Sequence, residues 1–276
     1  MAGATGADGW TVPERLAEHA RRFYAEGGQP VAPRVAATVV LLRPAPAGGV
    51  RVYAIRRAAT MAFASGMYAF PGGSVDPRDA GGELAWVGPS DVEWAARLRL
   101  DPDRAQAVVC AAAREVFEES GVLLAGPDGS TVVGDVSGPE WEERRQALVN
   151  RTLGFAGLLR EQRLALRGDL LAPWARWITP EFEPRRFDTY FFLARLPAGQ
   201  RTRDVGGEAD HTVWTSPAAA LARLAAGEIA MLPPTIVVLR ELAAYSDVDS
   251  ALAAAAGRDA ATPVMPRLSG DRLVLR

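Results

Sequence analysis

The sequence predicts an α+β fold, an α/β/α sandwich around a mixed sheet. Three observations point there. Strand-like and helix-like segments are interleaved without strict βαβ alternation. Two β-branched runs, Arg34–Arg43 and Val50–Arg57, stand between clear turn signals. Asp101 to Gly121 carries both a helix start and a helix stop. At 276 residues and 49% apolar content, the chain can bury a large core in one or two domains.

In order, residues 11–26 read as an amphipathic helix closed by Gly27-Gly28, giving an N-terminal helical extension over 1–30. The two strands follow, and then 61–73, which ends in Pro71-Gly72-Gly73, a loop where regular structure is not expected. The mixed, Gly- and Asp-rich stretch 74–100 reads as an insertion. The helix 101–121 has Asp101 as N-cap, Pro102 at its first position, an alanine-rich middle and Gly121 as its stop. Residues 139–167 form a helical insertion of one or two helices. Ala175 to Leu196 alternates and is rich in aromatics, as strands are. Helices are expected at Ser216–Ala226 and Pro234–Tyr245. The main domain is thus 31–245, and 246–276 reads as a C-terminal tail, Ala-rich and then polar from Ala253 on, where partial disorder is expected. There is no internal repeat.

Composition removes several chemistries. All 31 basic residues are Arg, so Schiff-base and P-loop lysine chemistry are excluded. One cysteine, Cys110, excludes an intramolecular disulfide and thiolate zinc sites, and it reads as a buried structural thiol. His19 and His211 are too few for a multi-histidine metal site. A net charge of −2 supplies no basic field for nucleic acid. No run reaches the ~18 apolar residues of a membrane span. Residues 1–10 lack the pattern of a secretory leader, so a cytoplasmic location is expected. A homodimer stays open.

The last turn of the 101–121 helix is unusual. Glu115, Glu118 and Glu119 stand at i, i+3 and i+4, so they share one face. The helix dipole disfavours acids there by ~0.3–1 kcal/mol each, and like charges repel. A compensating hard cation, Mg²⁺ or Mn²⁺, would suit three carboxylates. A solvated acidic face is the other reading, and these residues alone do not choose.

With its surroundings, the segment resembles the box of the Nudix hydrolases, which has a Gly, a Glu six residues later, then Arg-Glu-(apolar)-x-Glu-Glu-x-Gly-(apolar). Here Arg114-Glu115-Val116-Phe117-Glu118-Glu119-Ser120-Gly121-Val122 matches its second half, and Phe70-Pro71-Gly72-Gly73 is the usual approach to it. The resemblance implies a Nudix fold and Mg²⁺- or Mn²⁺-dependent cleavage of a pyrophosphate linkage in a nucleoside diphosphate derivative. The implied metal ligands are Glu115, Glu118, Glu119 and a carbonyl of Gly72 or Gly73, with Arg114 orienting a carboxylate. Two departures are expected: 74–100 as an insertion within the box, and Gln106 in the register of the first box Glu.

The inserted box and the flanking Trp177-Ile-Thr-Pro180 and Leu232-Pro-Pro-Thr235 resemble the coenzyme A diphosphatase-like subgroup. That implies coenzyme A or an acyl-CoA as substrate. Arg57, Gly66 and Phe70–Gly73 fall at the spacing of that subgroup's upstream motif, while Ala58 and Ala62 replace its Ser and second Arg. ADP-ribose or NADH hydrolysis, or a non-catalytic ligand-binding module, are the alternatives. Arg57, Arg185 and Arg186 are candidate phosphate-binding residues, since guanidinium forks suit phosphate, though strand-edge surface charge explains them equally. Glu208 is the candidate further metal ligand or base, with Asp210 as substitute. The insertion 74–100 is expected to stand beside the cleft as a wall or lid.

Overall fold

Arg34–Pro44 is apolar on both faces. Ala37, Val39 and Leu41 enter one buried cluster, and Val40 and Leu42 enter another. A strand that alternates between two cores must lie in the middle layer of a sandwich. The computed structural model, which describes residues 9–58, 64–80, 84–204 and 209–275, shows that arrangement. The sheet runs in the order Ala209–Thr215, Val50–Arg57, Arg34–Pro44, Phe187–Arg195, Ala172–Ile178, Pro263–Val264. Arg34–Pro44 and Phe187–Arg195 pair in parallel, as do Pro263–Val264 and Ala172–Ile178, while the other neighbours are antiparallel. The sheet is mixed, as expected.

Helices cover both faces. Asp91–Leu98, Pro102–Ser120, Pro139–Val149 and Phe155–Glu161 pack on one side through residues such as Trp94, Val109, Leu148 and Phe155. Glu14–Ala25, Pro217–Ala225, Pro233–Leu242 and Val248–Ala255 pack on the other through Ala17, Leu224, Ile236 and Ala251. None of the helices among the described residues is long and apolar enough to cross a membrane.

Two expectations need correction. The loop at 72–74 is a short strand, with Gly72, Gly73 and Ser74 opposite Thr38, Ala37 and Ala36. Glycine allows this approach: a Cβ on Gly72 would lie 2.4 Å from Thr38 Oγ1. The tail 246–276 is part of the fold, adding a helix to one layer and a strand to the sheet edge. The N-terminal extension carries a helix, Glu14–Ala25, and its Trp10 and Thr11 pair with Leu273 and Arg272. The insertion is anchored to the core by its helix, through Trp94, Ala95 and Leu98, while most of its other described residues keep some exposure. Its helix begins in a Ser90/Glu93 capping box and ends at a left-handed Arg99. Its Trp94 is fully buried, edge-on to Phe192 at 6.0 Å between ring centres.

Candidate active site

The helix Pro102–Ser120 is capped where the sequence placed its caps. The Asp101 side chain accepts from the Arg104 N–H at 2.9 Å, and Gly121 turns left-handed at φ 70°. Ala111, Ala112 and Ala113 have no exposed surface, so the helix lies flush on the sheet. This close seating carries its final turns against the Gly72–Ser74 strand. There Gly72 N–H donates to Glu119 Oε2 at 2.8 Å. Gly73 sits so near Glu115 that a Cβ would be 2.5 Å from its Oε1.

Arg114 organises this corner. Nε and Nη2 donate to the two Asp79 oxygens, each at 2.9 Å, and Nη2 also donates to Ser74 O at 3.0 Å. Nη1 donates to Glu115 Oε1 at 2.8 Å and Glu118 Oε1 at 3.1 Å. These bonds use all five guanidinium donors, and the fork on Asp79 fixes the plane of the group. Only 10% of the Arg114 side chain and 1% of the Asp79 side chain are exposed. Burial pushes the Glu115 carboxyl above the usual glutamate range, with Arg114 pulling against it and Glu118 adding to the rise.

Asp79 changes the reading of the box. It stands six residues after Gly73, where the signature places its first acid, and it grips the Arg that follows. Gln106 therefore does not occupy that position, and its side chain makes no hydrogen bond among the described residues. Ser74 to Asp79 belongs to the box, so the inserted chain begins at about residue 80 rather than 74. The six-residue spacing was present in the sequence; an Asp in place of a Glu hid it. Cys110, buried as expected, has its sulfur 3.8 Å from Asp79 Oδ1, and burial pushes its thiol up.

The other candidates are dispersed. Arg186 is buried and spends its guanidinium on Thr179 O at 3.1 Å and Val31 O at 2.8 Å, so it is a structural tie and not a phosphate-binding arm. Arg185 is exposed just before the strand Phe187–Arg195. It lies outside that strand, two residues before its start, while the strand's Thr189 is level with Ala36 and Ser74. Arg57 ends its strand opposite Ala209, and its N–H donates to Met67 O at 3.0 Å. Asp210 pairs with Arg56 at 2.6 Å, and His211 stacks edge-on against Tyr68. Glu208 and Ala62 lie outside the described residues. Sequence reasoning missed Arg145 and Arg203, which meet the end of the helix from distant segments, and Glu142, which accepts from both.

A carboxylate-bearing helix whose Arg forks onto Asp79 and whose last turns lie against a Gly-Gly strand, within an α/β/α sandwich, defines the class. A family model described as the NUDT19 Nudix domain matches residues 99–242, and the chain belongs to the Nudix hydrolase family. Putative nudix hydrolase 7 of Caenorhabditis elegans is 29% identical over 199 residues, covering 72% of this chain and 58% of that protein. Acyl-coenzyme A diphosphatase NUDT19 of Homo sapiens is 27% identical over 248 residues, covering 75% of this chain and 64% of that protein. The chain thus matches less than two thirds of the length of these relatives. A crystal structure of a NUDIX hydrolase from Alicyclobacillus acidocaldarius aligns with TM-score 0.65 at 31% identity, over 81% of this chain and 96% of that one.

Nudix hydrolases generally use divalent metals. Among the described residues, no three Asp, Glu, His or Cys side chains converge on a point that would hold one. What fits is the donor chemistry. Three carboxylates and a glycine backbone are hard oxygen donors, and the absence of a Cβ on Gly73 lets the Glu115 carboxylate lie directly against that backbone.

Proposed function

We propose that the chain hydrolyses the pyrophosphate linkage of coenzyme A or an acyl-CoA in the presence of Mg²⁺ or Mn²⁺. The observation that carries the hydrolase reading is the Arg114 lock, which gathers Glu115 and Glu118 beside the Gly72–Gly73 strand. Glu115, Glu118, Glu119 and a carbonyl of Gly72 or Gly73 would hold the cation. When bound, it neutralises phosphate oxygens and makes water a better nucleophile. Arg114 holds one oxygen of Glu115 and one of Glu118, which fixes the direction of both carboxylates. A carboxylate of this set accepts the proton as water attacks phosphorus. We keep Glu208 as a further acid for this site. The described chain on its two sides runs from Arg203, whose N–H donates to Ser120 O, to Ala209, opposite Arg57.

The names of the NUDT19 relatives support coenzyme A chemistry, as does the Arg57–Gly66–Phe70 spacing. The products would be a phosphopantetheine-bearing fragment and an adenosine bisphosphate. Ala58, in place of the motif's Ser, and Ala62, in place of its second Arg, work against it. A lost charge-assisted contact costs ~1.5–3 kcal/mol, or roughly ten- to a hundred-fold in affinity. Arg57 is the remaining candidate for that phosphate. Coenzyme A, acyl-CoA and ADP-ribose assayed at matched concentration, with and without Mg²⁺, test this reading. Cation-dependent release of adenosine bisphosphate is expected. A preference for ADP-ribose overturns the substrate, and no hydrolysis of any of them overturns the enzyme.

Gly73→Ala tests the close approach. Its Cβ would displace the Glu115 carboxylate from its present place. The Mg²⁺ concentration for half-maximal activity is expected to rise by about tenfold or more. An unchanged Mg²⁺ requirement would show that Glu115 is not a ligand.

A further inference from the structure

The helix Pro102–Ser120 ends in acids and has no basic residue in its last turn. Its final carbonyls need partners, and the negative end of its dipole needs a cation. Both come from far along the chain. Arg145, on the helix Pro139–Val149, is 2% exposed, and its Nη1 donates to the backbone oxygen of Glu118 at 2.7 Å. Its Nε and Nη2 are held by the two Glu142 oxygens at 3.0 and 2.5 Å. Glu142 Oε2 also accepts from Arg203 Nη1 at 3.2 Å. Arg203 in turn donates its backbone N–H to Ser120 O at 2.9 Å, and its guanidinium lies over Gly121, where a Cβ would sit 2.8 Å from Nε. One acid therefore braces two arginines that donate to the carbonyls of the residues on either side of Glu119.

We propose that Arg145, braced by Glu142 and Arg203, is a positioning residue for the cation-binding carboxylates. It fixes the Glu118 peptide, and so the direction in which Glu118 and Glu119 leave the helix, without touching cation or substrate. The inference rests on the metal reading given under Proposed function. It also assigns a task to the helical insertion, which carries both Glu142 and Arg145. Two effects of Arg145 oppose each other. Its charge repels a nearby cation, whereas its grip on the Glu118 carbonyl holds the ligands in place. Positioning requires the second to prevail, so the sign of the change in affinity decides.

The test is a Mn²⁺ titration of the full chain, followed by electron paramagnetic resonance, with parent, Arg145→Met, Arg145→Lys and Glu142→Gln. Arg145→Met keeps the bulk and removes the donors. It is expected to weaken Mn²⁺ binding about ten- to a hundred-fold, the range for residues that orient metal ligands. Arg145→Lys, which can still reach the Glu118 carbonyl, is expected to recover part of that loss. Glu142→Gln loosens the brace and is expected to weaken binding at an unchanged circular dichroism spectrum. It carries the test if Arg145→Met fails to fold. Binding by Arg145→Met, or by Glu142→Gln in its place, as tight as the parent's or tighter overturns the inference alone. A lysine variant as weak as the methionine variant assigns the effect to packing and also overturns it. A parent that binds no Mn²⁺ overturns the metal reading, and this inference with it.

Discussion

Asp79→Asn is expected to destabilise the protein by about 3–5 kcal/mol, the range for breaking one side of a buried ion pair. The variant keeps the shape of the side chain and removes its charge. Arg114 would then sit 10% exposed with its fork half satisfied, because an amide offers one oxygen where the carboxylate offered two. Glu115 and Glu118 would remain as its acids, each accepting a single bond. At about 2–4 °C per kcal/mol for a chain near this size, the thermal midpoint should fall by about 6–20 °C. Circular dichroism melts measure this directly. A midpoint within 2 °C or so of the parent's would show that Asp79 is not the anchor of Arg114. Gln106→Ala is the natural control and should leave the midpoint nearly unchanged, because that side chain holds nothing.

Glu118→Gln is expected to separate activity from stability. In the proposed reaction Glu118 is a cation ligand and a candidate proton acceptor, so kcat should fall by about 10²- to 10⁴-fold at saturating Mg²⁺. Stability should move the other way or not at all. The change removes a negative charge three residues from Glu115 and one from Glu119, at the end of the helix where acids are disfavoured by ~0.3–1 kcal/mol. The amide oxygen can still accept from Arg114 Nη1, which now lies 3.1 Å from Glu118 Oε1. A variant that melts no lower than the parent and hydrolyses poorly supports a functional carboxylate. Parent-like hydrolysis at saturating Mg²⁺ would remove Glu118 from the site. A matched fall in both would make it a structural residue.

The acidic turn shows how local chemistry can announce a site. Its three carboxylates stand against the dipole and against one another, and helical spacing alone puts them on one face. The strand Arg34–Pro44 and the caps at Asp101 and Gly121 were legible for a similar reason, since each depends only on near neighbours. The strand at Gly72–Ser74 was not legible. Its pairing depends on how closely Thr38 and Ala37 approach, and Pro-Gly-Gly reads as a break when seen alone. The boundary of the insertion was misplaced because the helix Asp91–Leu98 packs like any core helix, while the acid that closes the first half of the box is an Asp.

By itself the sequence determined the sandwich class, the helix with its three aligned carboxylates, and the Gly-Gly approach to it. Periodicity, capping and motif spacing are properties of a few consecutive residues, and a chain cannot conceal them. Only the tertiary structure decided that Asp79 takes the Arg114 fork, and that Arg145 and Arg203 close the end of that helix from 27 and 83 residues away. It also decided that Arg186 is spent on Val31 and Thr179, and that residues beyond 245 belong to the sheet and its helical layer. All these arginines have the same chemistry in the sequence. Which carboxylate or carbonyl each one meets depends on the packing of distant segments, and only burial in the folded chain makes the choice binding.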